Sequence, residues 1–275
     1  MEGNLLTNNN QSIINIIANN NPESQKIHKL LTNKLEKKGF IIPKKYNNNA
    51  ELNICIGGDG AFLRAVHRYN FTSIPFIGVN TGHLGFFQEV LPENIDIFIE
   101  KYIHKDFVVE KIFLVKAKIY TKNESFELYG INEIVVKGTK SKVVHLEIFI
   151  DGNHLEKFCG DGVIISTPVG STAYNFSSGG SIIYPSLKTL QLTPLSPISS
   201  RAYRSLLNSA VIPGDLIITI KPEYRYENSI LIVVDGVEYK YDDITKINFI
   251  IPEKTISRLN LDRNMYWNNL KSKFL

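Results

Sequence analysis

A strand-length apolar run that ends in a glycine-rich turn constrains this sequence more than any other feature. Residues 52–56 are mostly apolar, residues 57–60 read Gly-Gly-Asp-Gly, and an amphipathic segment with Phe62 and Val66 follows. This order predicts a strand, a tight turn and a helix, which is the place where open α/β sheets bind ligands. Glycines let the backbone approach a ligand closely, and the free amides at a helix start favour an anion such as phosphate.

The carboxylate inside this turn needs a chemical reason, because it would repel a bound phosphate. Asp59 could hold Mg²⁺, or it could accept the proton of a hydroxyl group that attacks the phosphate. A plain turn is an equally simple explanation, since Asp and Gly favour turns for backbone reasons. The sequence contains neither the Gly-x-Gly-x-x-Gly dinucleotide motif nor a P-loop ending in Gly-Lys-Ser/Thr.

Composition narrows the class of protein. The 275 residues, 43% hydrophobic and 21% charged, are enough for two globular domains with buried cores. The net charge of +4 comes from scattered lysines without interleaved aromatic residues, so nucleic acid is not expected as a partner. Two cysteines, Cys55 and Cys159, favour a reducing compartment over a disulfide scaffold or a zinc site. No long apolar run or signal-peptide pattern occurs, so we expect a cytoplasmic protein without a membrane partner.

The predicted elements change character near residue 105. Before it, strands are predicted at residues 12–18, 40–42, 52–56 and 74–79 and alternate with helices, which predicts a Rossmann-like α/β domain with a parallel sheet. After it, short β runs lie between turn signals and predict an antiparallel, β-sandwich-like domain. These runs are 108–120, 126–136, 143–150, 163–166, 216–220, 230–234 and 247–251.

We therefore place the α/β domain at residues 1–105 and the β-rich domain at residues 106–252. A last helix is expected beyond residue 260, with apolar residues at Met265, Trp267, Leu270 and Phe274. Because these residues need a surface to pack on, the tail from residue 253 is expected to return to the α/β domain.

A second stretch with chemical character covers residues 160–180, which are rich in Gly, Ser and Thr. A polar but uncharged lining suits a nucleoside better than a metal ion. Tyr174 would flank a ring, while Thr172, Ser177 and the backbone near Ala173 would hydrogen-bond to base or ribose edges. An ordinary surface loop explains the same composition.

Three further candidates lie outside these two stretches. The pair Asn132-Glu133 interrupts an apolar β run, and a glutamate suits a ribose diol, although strand alternation alone would also expose one of the two. Arg64, one helical turn past the glycines, would reach a phosphate or else face solvent. His83 lies in a second glycine-bearing loop that also follows a strand end. The histidines do not have metal-ligand spacing, so no metal-binding residue is predicted.

Together, four motifs closely resemble those of the NAD kinase family. They are Gly-Gly-Asp-Gly at 57–60, Gly-Val-Asn-Thr-Gly-His-Leu-Gly-Phe at 78–86, Asn-Glu at 132–133, and Asp-Gly-x4-Thr-Pro-x-Gly-Ser-Thr-Ala-Tyr at 161–174. The resemblance implies an α/β N-terminal domain, a β-rich C-terminal domain and a final segment that returns to the first. It also implies transfer of the γ-phosphoryl group of ATP, with a divalent metal such as Mg²⁺, to the 2′-hydroxyl of the adenosine ribose of NAD, giving NADP.

The same resemblance implies roles for the matching residues. Asp59 is similar to the proton acceptor that faces the 2′-hydroxyl, and family members are homodimers or homotetramers that assemble part of the nucleoside site across a subunit interface. The predicted NAD-binding residues are Asp59, Gly60, Asn132, Glu133, Asp161, Thr172, Ala173, Tyr174, Asn175, Ser177 and Ser196. The predicted ATP- or phosphate-binding residues are Gly57, Gly58, Gly60, Arg64 and His83.

Some positions depart from the family pattern. Ala61 stands where the family often has Thr or Asn, Cys159 where it has a basic residue, and Val237 where it has Gln. These departures leave the phosphate donor open between ATP and polyphosphate. Two other functions also stay open, a lipid or sugar kinase with the same glycine turn and a non-catalytic NAD(H)-binding sensor.

Overall fold

A computed structural model of the chain describes residues 12–82, 85–140, 142–199, 204–224, 230–262 and 264–275. The chain forms two compact units. Unit 1 consists of the chain up to Lys111 together with Ile256–Leu275, whereas unit 2 covers Ile112–Thr255. The division lies a few residues after the place where the hydrophobic pattern changes. Within the described residues, no helix is both long and apolar enough to cross a membrane.

The helices of the described residues are α1 (Pro22–Lys37), α2 (Asp59–Arg68), α3 (Ile95–Ile103), α4 (Tyr174–Ser177) and α5 (Met265–Phe274). The strands before Asp151 are β1 (Ile14–Ala18), β2 (Leu52–Ile56), β3 (Phe76–Val79), β4 (Gln88–Val90), β5 (Val108–Phe113), β6 (Val115–Thr121), β7 (Ser125–Gly130), β8 (Glu133–Gly138) and β9 (Val144–Ile150). The later strands are β10 (Asn153–Gly160), β11 (Gly162–Ser166), β12 (Thr189–Leu195), β13 (Ala210–Pro213), β14 (Ile218–Pro222), β15 (Ile230–Val234), β16 (Val237–Tyr239), β17 (Ile244–Ile250) and β18 (Thr255–Asn260).

Unit 1 is built on a sheet with the strand order β1-β2-β3-β18-β5, and β4 also pairs with β3. The pairs β1–β2, β2–β3 and β3–β18 are parallel. Every residue of β2 and β3 is buried, so both faces of the central strands are covered, as in α/β proteins. Because parallel strands end at the same edge, the turn after β2 and the loop after β3 lie on one side of this sheet.

Helix α1 shows how local signals start and orient an element. The Asn21 side chain accepts a hydrogen bond from the Ser24 amide at 2.8 Å, and Pro22 occupies the first helical position. Its buried face carries Ile27, Leu31 and Leu35, at helical spacing.

Unit 2 is a sandwich of two six-stranded sheets. One has the order β10-β9-β14-β17-β6-β7 and the other β13-β12-β11-β8-β15-β16, and the strand pairs within them are antiparallel. Side chains from both sheets, among them Ala117 and Ile119 of β6 and Ile134 and Val136 of β8, form a single buried cluster. The predicted fold class, an α/β domain with a β-sandwich domain and a returning last segment, is confirmed.

Three predicted strands were wrong in detail. Residues 40–42 form only a one-residue bridge between Ile13 and Ile41, and Pro43 follows at once, which has no amide to extend the pairing. The run 108–120 is two strands, β5 in the sheet of unit 1 and β6 in a sheet of unit 2. The run 126–136 is also two strands, β7 and β8, which belong to different sheets. Gly130 ends β7 there, so Asn132 lies at a break between strands.

The returning segment enters unit 1 as a strand before it becomes a helix. Strand β18 lies between β3 and β5 in the sheet, and α5 follows. Of the apolar residues expected to pack, Met265, Leu270 and Phe274 are half-buried, whereas Trp267 is mostly exposed and the polar Asn269 is buried. The contacts of α5 are therefore partly polar.

Candidate functional site

The turn after β2 needs a glycine at its first position. Gly57 has φ +147°, and a Cβ atom there would lie 2.6 Å from the Ala61 Cβ and 2.9 Å from the Asn19 Nδ2. Helix α2 begins immediately afterwards at Asp59, with Gly58 as its N-cap and no side-chain cap. The first-turn amides of a helix have no partner within the helix, and the helix dipole adds positive potential. The turn formed by Gly57, Gly58 and Gly60 is therefore suited to bind phosphate.

Asp59 is held in place by the loop that follows β3. Its Oδ2 accepts a hydrogen bond from the Phe86 amide at 2.9 Å, and its Oδ1 accepts one from the Phe87 amide at 3.0 Å. The backbone of Gly85 approaches so closely that a methyl group there would overlap the carboxylate. The structure thus brings together the two glycine-bearing loops of unit 1, whereas His83 of the second loop lies outside the described residues.

Two other contacts fix the position of this loop within unit 1. The Phe87 ring stacks on Phe62 of α2, with centroids 4.7 Å apart. The Phe86 carbonyl accepts a hydrogen bond from Arg258 Nη1 at 2.9 Å. Arg258 also pairs with Glu110 at 3.0 Å and lies 3.7 Å from Glu89. Burial raises the pKa of Glu89 to about 7, although Arg258 opposes this rise. Sequence reasoning missed this buried charge cluster, because its members come from three distant strands.

A cavity of about 340 Å³ opens beside the glycine turn. Its lining consists of Ile17, Ala18, Asn19, Ile56, Ala61, Arg64, Ala65 and Arg68. Arg64 Nη2 donates to Asn19 Oδ1 at 3.3 Å, and Arg68 adds a second guanidinium one helical turn later. Guanidinium groups match phosphate geometry. The structure therefore places Arg64 beside the glycine turn, together with Asn19 and Arg68, which sequence reasoning did not single out. Binding of phosphate by Arg64 stays a prediction.

In unit 2, the Asn132-Glu133 pair is held by a carboxylate that sequence reasoning did not assign. Asp235 accepts hydrogen bonds from the amides of Ile131 at 2.8 Å, Asn132 at 2.8 Å and Glu133 at 3.2 Å. Asp235 lies in the turn between β15 and β16, where its φ is +46°. In the sequence, Asp235-Gly236 looks like any hairpin turn, so only the structure reveals that it orients the pair.

The side chains of the pair are buried without complete hydrogen bonding. Among the described residues, Asn132 Oδ1 and Glu133 Oε2 have no hydrogen-bond partner. Burial, with a contribution from the Asp235 charge, raises the pKa of Glu133 to about 8. A buried polar atom without a partner costs free energy unless a ligand supplies one. The pair is therefore suited to contact a ligand that has hydroxyl or amide groups.

The Gly/Ser/Thr-rich stretch contacts this pair at Thr167. The Thr167 amide donates to the Asn132 carbonyl at 2.9 Å, and its hydroxyl donates to the Ile131 carbonyl at 2.6 Å. Farther along, Thr172 and Ala173 are half-buried, while Tyr174 and Ser177 are exposed on α4. Four of the predicted nucleoside-binding residues thus follow within a few residues of the segment that contacts Asn132.

Two predicted residues lie together at the other end of β11. The Asp161 amide donates to the Leu195 carbonyl at 3.0 Å, which places Asp161 beside Ser196. Both side chains are exposed, and Ser196 has φ +44°.

Asn175 has a different role from the predicted one. Its side chain is fully buried. Its amide donates to Gln191 Oε1 at 3.0 Å and to the Ser171 carbonyl at 3.2 Å, and its carbonyl oxygen accepts from Thr193 at 2.6 Å. Because this side chain is not accessible and already bonds within the protein, the prediction of a direct NAD contact is corrected to a role in holding the loop.

The described residues include no group of three or more His, Cys, Asp or Glu side chains placed to hold a metal ion. A resident metal centre built from protein ligands alone does not fit them. Mg²⁺ that accompanies a nucleotide is held largely by phosphate oxygens and needs only one or two carboxylates. Asp59 offers one carboxylate at the phosphate-binding turn.

Comparisons with known proteins agree over nearly the whole chain. The model of the ATP-NAD kinase N-terminal domain matches residues 8–107, and that of the ATP-NAD kinase C-terminal domain matches residues 131–249. The NAD kinase of Finegoldia magna is 48% identical over 272 residues, covering 98% of this chain and 100% of the relative. The NAD kinase of Leuconostoc mesenteroides is 32% identical, covering 86% and 92%.

Solved structures show the same fold. Yeast NADH kinase in complex with NADH superposes with a TM-score of 0.85 at 21% identity, covering 97% of this chain and 88% of that chain. An NAD kinase from Archaeoglobus fulgidus in complex with ATP superposes with a TM-score of 0.73 at 23% identity, covering 96% and 98%.

Proposed function

The chain belongs to the NAD kinase family, and from this premise we propose that it transfers the γ-phosphoryl group of ATP to the 2′-hydroxyl of the adenosine ribose of NAD, forming NADP. The observation that carries the proposal is the position of Asp59, a carboxylate in the first turn of α2 beside a phosphate-binding turn. Lipid or sugar kinases and a non-catalytic sensor are not favoured, because full-length relatives are NAD kinases.

Asp59 is the general base in this proposal. Its two bonds to the Phe86 and Phe87 amides fix the orientation of the carboxylate. Each carboxylate oxygen has two acceptor sites, so both oxygens keep capacity for the proton of a ribose hydroxyl. Phosphoryl transfer has a loose transition state, and most of the rate comes from positioning and from neutralising charge. The amides of the glycine turn contribute to both.

The ATP phosphates are assigned to the glycine turn and its cavity. Gly58 and Gly60 supply backbone donors, and Arg64 supplies a guanidinium. The Gly57 amide already donates to the Val79 carbonyl at 2.9 Å, so Gly57 contributes through the turn conformation that it allows. A divalent metal such as Mg²⁺ would supply further neutralisation of phosphate charge, and Asp59 is the residue of this turn that would hold it beside the nucleotide. Since these groups recognise phosphate rather than a base, inorganic polyphosphate is a second donor that they suit.

NAD is assigned to residues of unit 2. Glu133 and Asn132 accept hydrogen bonds from the ligand, which removes the cost of their unpartnered buried oxygens. Tyr174 flanks a ring of the ligand. The remaining contacts are assigned to Asp161, Thr172, Ala173, Ser177 and Ser196. In this assignment, residues 1–105 with 253–275 form the phosphate-binding domain, and residues 106–252 form the NAD-binding domain.

A cytoplasmic location and a homo-oligomeric state complete the proposal. Cys55 and Cys159 are buried thiols and not a disulfide, which fits a reducing compartment. Unit 2 exposes large apolar side chains between residues 174 and 187, and such groups often mark a protein interface. They are Tyr174, Phe176, Ile182, Tyr184 and Leu187. We expect a dimer or tetramer by light scattering, and a monomer at micromolar concentration would contradict this.

The catalytic assignment is tested with Asp59→Asn. This change keeps the shape of the side chain but removes its basicity, so we expect kcat to fall by about 10²- to 10⁴-fold while NAD binding is kept. NADP formation with Mg-ATP measures the first quantity, and calorimetry with NAD measures the second. Asp106→Asn is the matched control, since Asp106 is a largely exposed residue of the same unit, and it should keep wild-type activity. Near-normal turnover by Asp59→Asn would contradict the role of Asp59, and an inactive wild-type protein would contradict the function.

A further inference from the structure

The last helix, α5, contacts the loop that holds Asp59. Tyr266, Asn269 and Lys273 share one face of this helix, because they are three and four residues apart. The buried Asn269 side chain donates to the Gly85 carbonyl at 3.1 Å. The Phe86 ring lies 6.2 Å from the Tyr266 ring, measured between centroids. The face of α5 is therefore held against residues 85–86 by one buried hydrogen bond and by aromatic packing.

This docking brings a cation to the proposed base. Lys273 Nζ lies 3.6 Å from Asp59 Oδ2 and 4.7 Å from the centroid of the Phe86 ring. Its side chain is 32% exposed, so it is partly screened from solvent. A separation of 3.6 Å exceeds hydrogen-bond range. The ammonium group thus interacts with the carboxylate only electrostatically. It remains able to donate hydrogen bonds to another acceptor close by.

We propose that Lys273 is a catalytic residue whose ammonium group binds the phosphoryl group while it is transferred beside Asp59. The proposal rests on the phosphotransfer function given above. A carboxylate base and a phosphate repel each other, so a reaction that needs both within a few ångströms of each other benefits from a positive charge between them. Lysine binds phosphate as a point charge, and its flexible stem lets the ammonium group follow the moving phosphorus.

A simpler explanation is that Lys273 only complements the dipole at the end of α5. Lysines in the last turn of a helix have this effect, and Lys271 in the same turn is equally placed for it. The dipole does not account for the contacts of Lys273 with Asp59 and with Phe86, whose amide is bonded to Asp59. Lys271, an exposed residue on the same helix, therefore provides a control for charge at the helix end.

The test compares Lys273→Met with Lys271→Met and Lys273→Arg in the full-length protein. We expect Lys273→Met to lower kcat for NADP formation by about 100-fold, the effect typical of losing one donor to transition-state charge. The KM for NAD and the melting temperature should stay near wild-type values. Lys271→Met should match the wild type in every measurement, and Lys273→Arg should recover at least about tenfold over Lys273→Met because it keeps the charge.

Three results would overturn the inference. They are a Lys273→Met enzyme with wild-type kcat, a loss of activity that accompanies an equal loss of folded protein in a thermal melt, and an arginine variant no better than the methionine one. All of these require an active wild-type enzyme. If the wild-type protein itself forms no NADP, the phosphotransfer function fails instead, and the two failures are thereby distinguished.

Discussion

The two carboxyl groups assigned to the reaction, Asp59 in unit 1 and Glu133 in unit 2, have opposite environments. The Asp59 side chain is 29% exposed, accepts two backbone amides and has an ammonium group 3.6 Å away. Glu133 is only 7% exposed, and its Oε2 has no partner within the described part of the chain. The carboxylate oxygens of Asp59 thus have partners within the protein, whereas burial favours the neutral form of Glu133.

This difference separates two ways of preparing a group for function. A base must be oriented before the substrate arrives, because misplacement by about 1 Å can cost 10²-fold in rate. A binding residue can instead be left incompletely bonded, since the ligand then relieves its desolvation cost and gains specificity from doing so. We therefore expect changes around Asp59 to act on turnover and changes at Glu133 to act on stability.

In this comparison, the larger of two effects is expected from Gly85→Ala. The added methyl group would overlap the Asp59 carboxylate, so the side chain must move away from its position between the Phe86 and Phe87 amides. We expect kcat for NADP formation to fall by about 100-fold or more. Steady-state kinetics with Mg-ATP and NAD measure it.

Gly82→Ala is the matched control in the same loop. Among the described residues, a Cβ atom at Gly82 would meet no atom within 4 Å, so this variant should keep turnover close to that of the wild type. Equal activities of the two alanine variants would show that the position of Asp59 is not fixed by the loop. That result would contradict the difference described between Asp59 and Glu133.

A smaller effect, on stability, is expected from Glu133→Gln. The folded protein raises the pKa of Glu133 from 4.5 to about 8, so the folded state holds a proton that the unfolded state releases. Its contribution to stability is therefore fully present below pH 4.5 and is lost as the pH rises through 8. For the wild type, this lowers the free energy of unfolding at pH 9 by an amount on the order of a few kcal/mol relative to pH 5. Glutamine does not ionise, so the free energy of unfolding of the variant should fall less than that of the wild type between pH 5 and pH 9.

Urea unfolding at pH 5, 7 and 9 measures this difference. Glu238→Gln, at an exposed position on β16 of the same sheet, is the control and should follow the wild-type pH dependence. If Glu133→Gln also follows the wild type, Glu133 is ionised in the folded state at neutral pH, and the two carboxyl groups do not differ in the way described.

Much of the fold was readable from local signals. The strand, turn and helix at residues 52–68 follow from an apolar run, a glycine that adopts φ +147° and an amphipathic period. Breaks inside apolar runs were harder to read, as at β7 and β8, because apolar residues continue on both sides when a chain passes from one buried sheet to another. Polar packing was harder still. Nothing in the pattern of the tail indicated that Asn269, rather than Trp267, is buried.

The sequence by itself determined which residues begin and end the elements around Asp59, and which motifs mark the family, since these depend on neighbours within a few positions. The tertiary structure decided which groups surround each functional side chain. Asp59 meets amides 27 and 28 residues away, and the backbone of Asn132 meets Asp235, which is 103 residues away. Such partners are chosen by strand order and loop packing. Hydrophobic periodicity and turn propensity describe only local conformation, so they carry no information about which distant backbone amide faces a given carboxylate.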